Sequence, residues 1–351
     1  MAWAREPMQS SVMMPGSPSP DDLLYHYTSD AGFRGIIESD RIWATDIRFL
    51  NDYTEFRRAF TDRYLEALIE AFRTAMRKDI DQVAAEVIDG VLAKRNHAYI
   101  LKVIEDSGER NDTFVCSFTS TLQDGFDPGD RLSQWRGYSH SSQGLSLGFD
   151  RGLLAKQIAI DNPVVKASVV ECIYEDTGPD RPFFEEMGCS AALRFNNLWR
   201  SGGAVPDSYP TANPAATEDY KKAGYYFLRA LSKATAEFFT NAARIKHYGF
   251  REEREWRIVV QASNEARKVV IRSRTGPFGN TPYIEVPLDL AKAVSSSLRR
   301  VVVGPGNDKV GVKQWVEQSL EDKGLRVKRD GRANLGDGIE VSVSTIPYRS
   351  A

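Results

Sequence analysis

The chain has 351 residues, 42% hydrophobic and 27% charged, which is enough apolar material for one large core or two ordinary ones and excludes a disordered or low-complexity chain. Its 46 lysines and arginines nearly balance 48 aspartates and glutamates, a formal charge of -2, so no overall basic excess draws it onto a phosphate backbone. A local basic face remains compatible with that balance, because net charge averages over all faces.

Cys116, Cys172 and Cys189 show no CxxC spacing, and His26, His97, His140 and His247 show no paired-ligand spacing. This argues against both a disulfide framework and a structural zinc site, and for a reducing compartment. Residues 1–20 lack a hydrophobic signal core, and no stretch approaches the roughly 18 apolar residues of a spanning helix. The expectation is a cytoplasmic protein without a membrane partner.

Residues 1–22, with the run Pro15-Gly16-Ser17-Pro18-Ser19-Pro20, carry no apolar period and read as a flexible leader. From Leu24 to Thr28 the alternation puts Leu24, His26 and Thr28 on one strand face and Tyr25 and Tyr27 on the other. Ser29 or Asp30 can cap a helix whose buried face is Phe33, Ile36 and Ile37, and Ile42 to Thr45 resumes as strand. The opening unit is β-α-β. Asp52 with Glu55 fits a capping arrangement before a helix through Phe56, Phe60, Tyr64, Leu68 and Phe72, and helical patterning continues to about residue 107.

Strands are expected at Phe114–Phe118, Leu145–Phe149 and Val164–Tyr174. Residues 176–215, broken by glycines and prolines such as Gly188, Gly202 and Pro206, read as an irregular excursion before a long helix from Thr217 to His247. Further strands fall near Glu255–Val260, Val269–Ile271, Tyr283–Val286 and Arg300–Val303, followed by a helix through Trp315 and Leu320. The pattern is α+β: a single domain over 23–351 with a mostly antiparallel split sheet and helical insertions at about 55–107 and 176–247.

Several short segments occur in one order: Leu24-Tyr25-His26-Tyr27-Thr28-Ser29, Ile42-Trp43-Ala44-Thr45, Leu50-Asn51-Asp52 with Glu55, Cys116-Ser117-Phe118, Gln134-Trp135 with Tyr138, Gly144 to Asp150, and Glu253-Arg254-Glu255-Trp256-Arg257. Together they resemble a bacterial family, domain of unknown function family 2971, over roughly residues 23–305. The name carries no established activity. A fainter similarity is to the ADP-ribosyltransferases, in which an early strand carries His before Thr or Ser, a later segment a Tyr, and a late strand a Glu. His26-Tyr27-Thr28 is similar to the first element, Tyr53 or Tyr138 to the second, and Glu255 or Glu253 to the third. No glycine follows His26, and the glutamates sit in Glu-x-Glu-Trp-Arg.

The second resemblance implies an ADP-ribosyltransferase-like core acting on NAD, transferring ADP-ribose to a protein or nucleic acid, or to water, in the manner of a toxin or phage-defence effector. Cleavage of the nicotinamide–ribose bond develops oxocarbenium character, which a carboxylate near the ribose offsets. Glu255 would take that role, with Glu253 in its place if the register differs. His26 and Thr28 would hold the ribose, Tyr53 or Tyr138 would stack on nicotinamide, and Arg257 would pair a pyrophosphate or neutralise Glu255.

Each of these groups has a plainer alternative. Glu253, Glu255 and Arg257 form a solvated or paired strand face with Trp256, Ile258 and Val260 packed inward; Trp135 and Tyr138 either wall a pocket or fill the core. Asn51-Asp52 caps a helix, and Gly304-Pro305-Gly306-Asn307-Asp308 is a turn and cap. Ser139 and His140 lack the partners of a serine hydrolase. Two other functional readings stand beside the transferase: a nucleotide-sensing or protein-interaction module without catalysis, and a metal-dependent nuclease using Asp52, Glu55, Asp150 and Glu255.

Overall fold

A computed structural model of the chain describes residues 23–50, 62–76, 86, 89–90, 93, 98, 111–121, 125–138, 144–161, 165–175, 181–202, 204–205, 217–263, 270–276, 279–290, 296–328 and 338–347. The leader, Asn51-Asp52, Tyr53, Glu55, His140 and most of 77–110 lie outside the described residues.

In chain order the elements are β1 (Leu23–Thr28), α1 (Asp30–Ser39), β2 (Arg41–Asp46), α2 (Asp62–Met76), β3 (Asn111–Thr119), α3 (Leu132–Tyr138), β4 (Leu145–Asp150) and α4 (Arg151–Ile158). There follow β5 (Ile160–Asp161), β6 (Val165–Glu171), β7 (Ile173–Glu175), α5 (Arg181–Ser201), α6 (Glu218–Ala242) and β8 (Ile245–His247). The chain continues with β9 (Glu255–Ser263), β10 (Ile271–Gly276), β11 (Gly279–Pro287), β12 (Leu298–Val303), α7 (Lys309–Asp322) and β13 (Glu340–Val343). It divides into two compact units: Met1–Asp40, Thr119–Leu154 and Asp289–Ala351 in the first, Arg41–Phe118 and Ala155–Leu288 in the second.

In the first unit the strand order is β13-β12-β4-β1. β4 is antiparallel to β1 from Leu23↔Asp150 to Thr28↔Leu145 and to β12, whereas β12 and β13 run parallel. β4 is central, which suits Leu145, Leu147 and Phe149, all fully buried. Tyr25 and Tyr27 pack with Trp135 and Val302. Ser29 caps α1, accepting from the Gly32 N–H at 3.2 Å, and Phe33, Ile36 and Ile37 form its buried face. Asp308 caps α7 in the same way through the Gly311 N–H at 2.8 Å, so Gly304 to Asp308 is the expected turn and cap. Phe33 meets Trp315 edge to face at 5.4 Å, joining the two helices.

In the second unit the order is β10-β11-β2-β3-β9-β6-β5, and β7 and β8 form a separate parallel pair. The β10–β11, β11–β2, β2–β3, β6–β9 and β5–β6 pairs are antiparallel. Helices and mostly antiparallel strands make the chain α+β.

Two expectations need correction here. Residues 181–201 form the regular helix α5 instead of part of an irregular excursion. Gly188 does not break it; it permits close packing on α2, since a Cβ there would lie 2.5 Å from the Ala71 Cβ and 2.6 Å from the Phe72 nitrogen. Phe72 then reaches Phe195 of α5 and Phe227 of α6, ring centroids 6.0 and 5.0 Å away. The long helix before β8 also ends at Ala242, not His247, because Ile245–His247 pairs with Ile173–Glu175 as strand.

Candidate functional site

Two of the residues singled out in the Glu-x-Glu-Trp-Arg segment, Glu255 and Arg257, start β9, and Glu253 closes the 3-10 turn Tyr248–Glu253 ahead of it. His247 opens that turn, its Nδ1 accepting from the Gly249 N–H at 3.0 Å, and Arg254 leaves it at φ 42. That left-handed residue interrupts the extended backbone, so Glu253 and Glu255 do not share a strand face as their spacing suggests. They are brought together by Lys246 of β8, whose Nζ donates to Glu253 at 2.7 Å and to Glu255.

The Glu255 carboxylate is engaged on both oxygens. Arg257 Nε donates to Oε1 at 2.7 Å and its Nη2 to Oε2 at 3.4 Å, while Lys246 also donates to Oε2. Arg257 Nη1 donates to the Ala243 carbonyl, and the Glu255 N–H donates to the Tyr174 hydroxyl at 2.7 Å. Lys246, Glu255 and Arg257 retain only 1%, 3% and 3% of their exposure, so of the two plainer alternatives the face is paired and not solvated; Ile258 and Val260 pack inward as expected, whereas Trp256 is half-buried. Two cations against two carboxylates leave the network neutral, the condition under which burial of ions is tolerable.

Burial pushes the Glu255 carboxyl up, but Arg257 and Lys246 outweigh it and hold it well below the usual carboxylate range. Burial likewise works against the Lys246 ammonium, and Glu255 and Glu253 overcome it and push its pKa up. Both groups are therefore charged at neutral pH. The Tyr174 phenol is pushed up by burial and donates or accepts as a neutral hydroxyl.

The remaining candidates lie apart from this network in chain and role. His26 is half-buried on β1 opposite Leu147, and the Thr28 hydroxyl lies against α1, where a Cβ on Gly32 would come within 2.0 Å of it. Trp135 fills the core: it is 1% exposed, meets Tyr27 at 4.6 Å, and its indole N–H donates to Asp130 at 2.8 Å. Tyr138, the last residue of α3, is 45% exposed. Of the nuclease carboxylates, Asp150 caps α4 through the Leu153 N–H at 2.8 Å and Glu255 is in the ion network. Among the described residues no three His, Cys, Asp or Glu side chains gather as a metal site, and no helix is long and apolar enough to cross a membrane.

Residues 134–258 match the family described as Protein of unknown function (DUF2971). This is the family indicated by the motif order, over a shorter stretch than roughly 23–305. The DUF2971 stretch contains Gln134-Trp135, Tyr138, Gly144 to Asp150 and all four members of the ion network. No curated protein and no solved structure gives a significant match to the chain. Lys246, the hub of the network in the DUF2971 stretch, was hidden in the sequence by the helical reading of 217–247; the alternation Ile245-Lys246-His247 after Ala242-Ala243 was its only local signal.

Proposed function

We propose that this protein is a nucleotide-recognition module in which Glu255 braces the fold and does no chemistry. The observation that supports this is the engagement of both Glu255 oxygens by Lys246 and Arg257 at 3% exposure. A carboxylate that offsets charge on a ribose must reach that ribose, and withdrawing Glu255 from its cations would leave two buried positive charges uncompensated. The nucleotide specificity follows the resemblance to NAD-using proteins. The test is incubation of the full chain with NAD: no nicotinamide is released, while NAD, ATP or a related nucleotide raises the melting temperature or binds calorimetrically. Release of nicotinamide that tracks enzyme concentration would overturn the reading.

A second reading, ADP-ribosyl transfer, is favoured by one observation: Glu255 is held as an anion by its neighbours, as an oxocarbenium stabiliser must be. In it the C1′–N bond of NAD breaks with its electron pair leaving on nicotinamide, and an acceptor oxygen bonds to C1′ and loses its proton. Glu253, 21% exposed at its side chain, is then the carboxylate with better access. The NAD assay on wild type, Glu253→Gln and Glu255→Gln separates the two readings.

A further inference from the structure

The three strands β10, β11 and β2 present a face that combines an exposed indole with guanidiniums. Their registers set Arg272 opposite Tyr283, Arg274 opposite Thr281, Glu285 opposite Trp43 and Pro287 opposite Arg41, so these residues share one face, on which Tyr283 and Thr281 are buried and the arginines and Trp43 are exposed. The intervening Ile42, Ala44, Ile284 and Val286 are buried on the other. The outward face carries three guanidiniums and one carboxylate, a local positive excess on a chain whose total charge is -2.

Trp43 is 40% exposed there, its ring 4.5 Å from Tyr283 and tilted by 34°, and the Arg274 guanidinium stands 5.2 Å from the Trp43 ring centre. Arg274 is steadied by the Thr45 hydroxyl at 3.1 Å; Arg272 and Arg41 lie 3.3 and 4.0 Å from Glu285. The Arg272 and Arg41 side chains are nonetheless 63% and 46% exposed. Pairing to Glu285 at 63% exposure leaves Arg272 donors turned to solvent. β10 pairs only with β11 among the described residues, so Arg272 and Arg274 stand at the rim of the platform.

We propose that this face binds single-stranded nucleic acid, with a base stacked at Trp43 and successive phosphates paired by Arg274, Arg272 and Arg41. The assignment rests on the nucleotide-recognition reading and names its ligand class and place. An exposed tryptophan between guanidiniums on a sheet face matches alternating bases and phosphates, whereas an acidic peptide would use the charges and leave the indole without purpose. A duplex keeps its bases stacked on one another and offers none to Trp43.

The experiment is fluorescence anisotropy of the full chain with labelled 12-nucleotide oligothymidylate and oligoadenylate, an equal-length duplex and a poly-glutamate peptide, alongside calorimetry with NAD and ATP. Single strands should bind with log K falling against log salt at a slope of about -2, three phosphates at roughly 0.7 each. That is a loss of about 18-fold from 50 to 200 mM salt. Trp43→Ala should weaken binding about tenfold, Trp43→Phe less, and Arg272→Ala with Arg274→Ala should reduce the slope by about 1.4. All three positions are at the surface, and circular dichroism melts confirm folding of each variant. Nucleotides binding while oligonucleotides do not would overturn this site and spare the nucleotide-recognition reading. Neither binding would overturn both. Unchanged affinity in the variants, equal duplex binding, or tighter poly-glutamate binding would each overturn the assignment.

Discussion

Lys246 on β8 donates to Glu255 on β9, and both side chains are withdrawn almost wholly from solvent. The ammonium spans two carboxylates, and its Nζ also lies 5.0 Å from the Phe250 ring centre. The contact joins the β7–β8 pair to the long strand β9, so its removal is a test of stability before it is a test of chemistry.

Glu255→Gln removes one buried charge and leaves Lys246 and Arg257 facing each other across a neutral amide. The expected cost is about 3 to 5 kcal/mol. Glu253→Gln should cost clearly less, because its side chain is 21% exposed and Glu255 remains on Lys246. Urea titrations of the two variants measure the difference; equal midpoints would remove the bracing role.

The same network predicts an acid response. Glu255 has its carboxyl lowered in the fold to about 2 by Arg257 and Lys246 against burial, so it contributes stability above the unfolded carboxylate pKa, near 4.5. That contribution should fade as pH drops from about 4.5 toward 2 and be flat between about pH 6 and 8. Comparing urea midpoints of wild type and Glu255→Gln down to pH 3.5 checks the sign: the gap between them should narrow on acidification.

Gly188→Ala should destabilise although alanine is the better helix former by about 1 kcal/mol. The added methyl would meet the Ala71 Cβ at 2.5 Å and backbone of α2 at 2.6 Å, an overpacking cost of about 1 to 3 kcal/mol. Ala71→Gly in the same chain should restore part of the loss and not all, because the backbone contact at Phe72 remains. Thermal melts of the two variants decide it.

Asp130 accepts from the Trp135 indole at 2.8 Å, from the Thr345 N–H at 2.8 Å and from the Ser344 hydroxyl. Asp130→Ala orphans a buried indole donor and should cost about 1 to 3 kcal/mol. Hydrogen exchange at the Thr345 amide should accelerate in parallel, whereas the β4 amides should slow or quicken only with global stability.

Strands β1, β4 and β12, the first helix and its cap, and the last helix were legible in the sequence because their signals are local: alternation along the strands, the Ser29 and Asp308 caps, and the Phe33, Ile36, Ile37 stripe. Gly188 defeated the same reasoning, since a glycine needed for close contact with α2 looks in sequence like a helix breaker. The family was readable from short motifs in order, and over residues 134–258 the match bears that out.

By itself, then, the sequence determined the α+β class and most element positions, which depend on neighbours one to four residues away. Only the tertiary structure decided what Glu255 and Arg272 face. The first is locked by Lys246, nine residues earlier on another strand, and the second is set beside Trp43 by two strand registers. A carboxylate or guanidinium has the same letter whether it is spent inside or offered to solvent, and the difference is made by partners that only folding brings within a few ångströms.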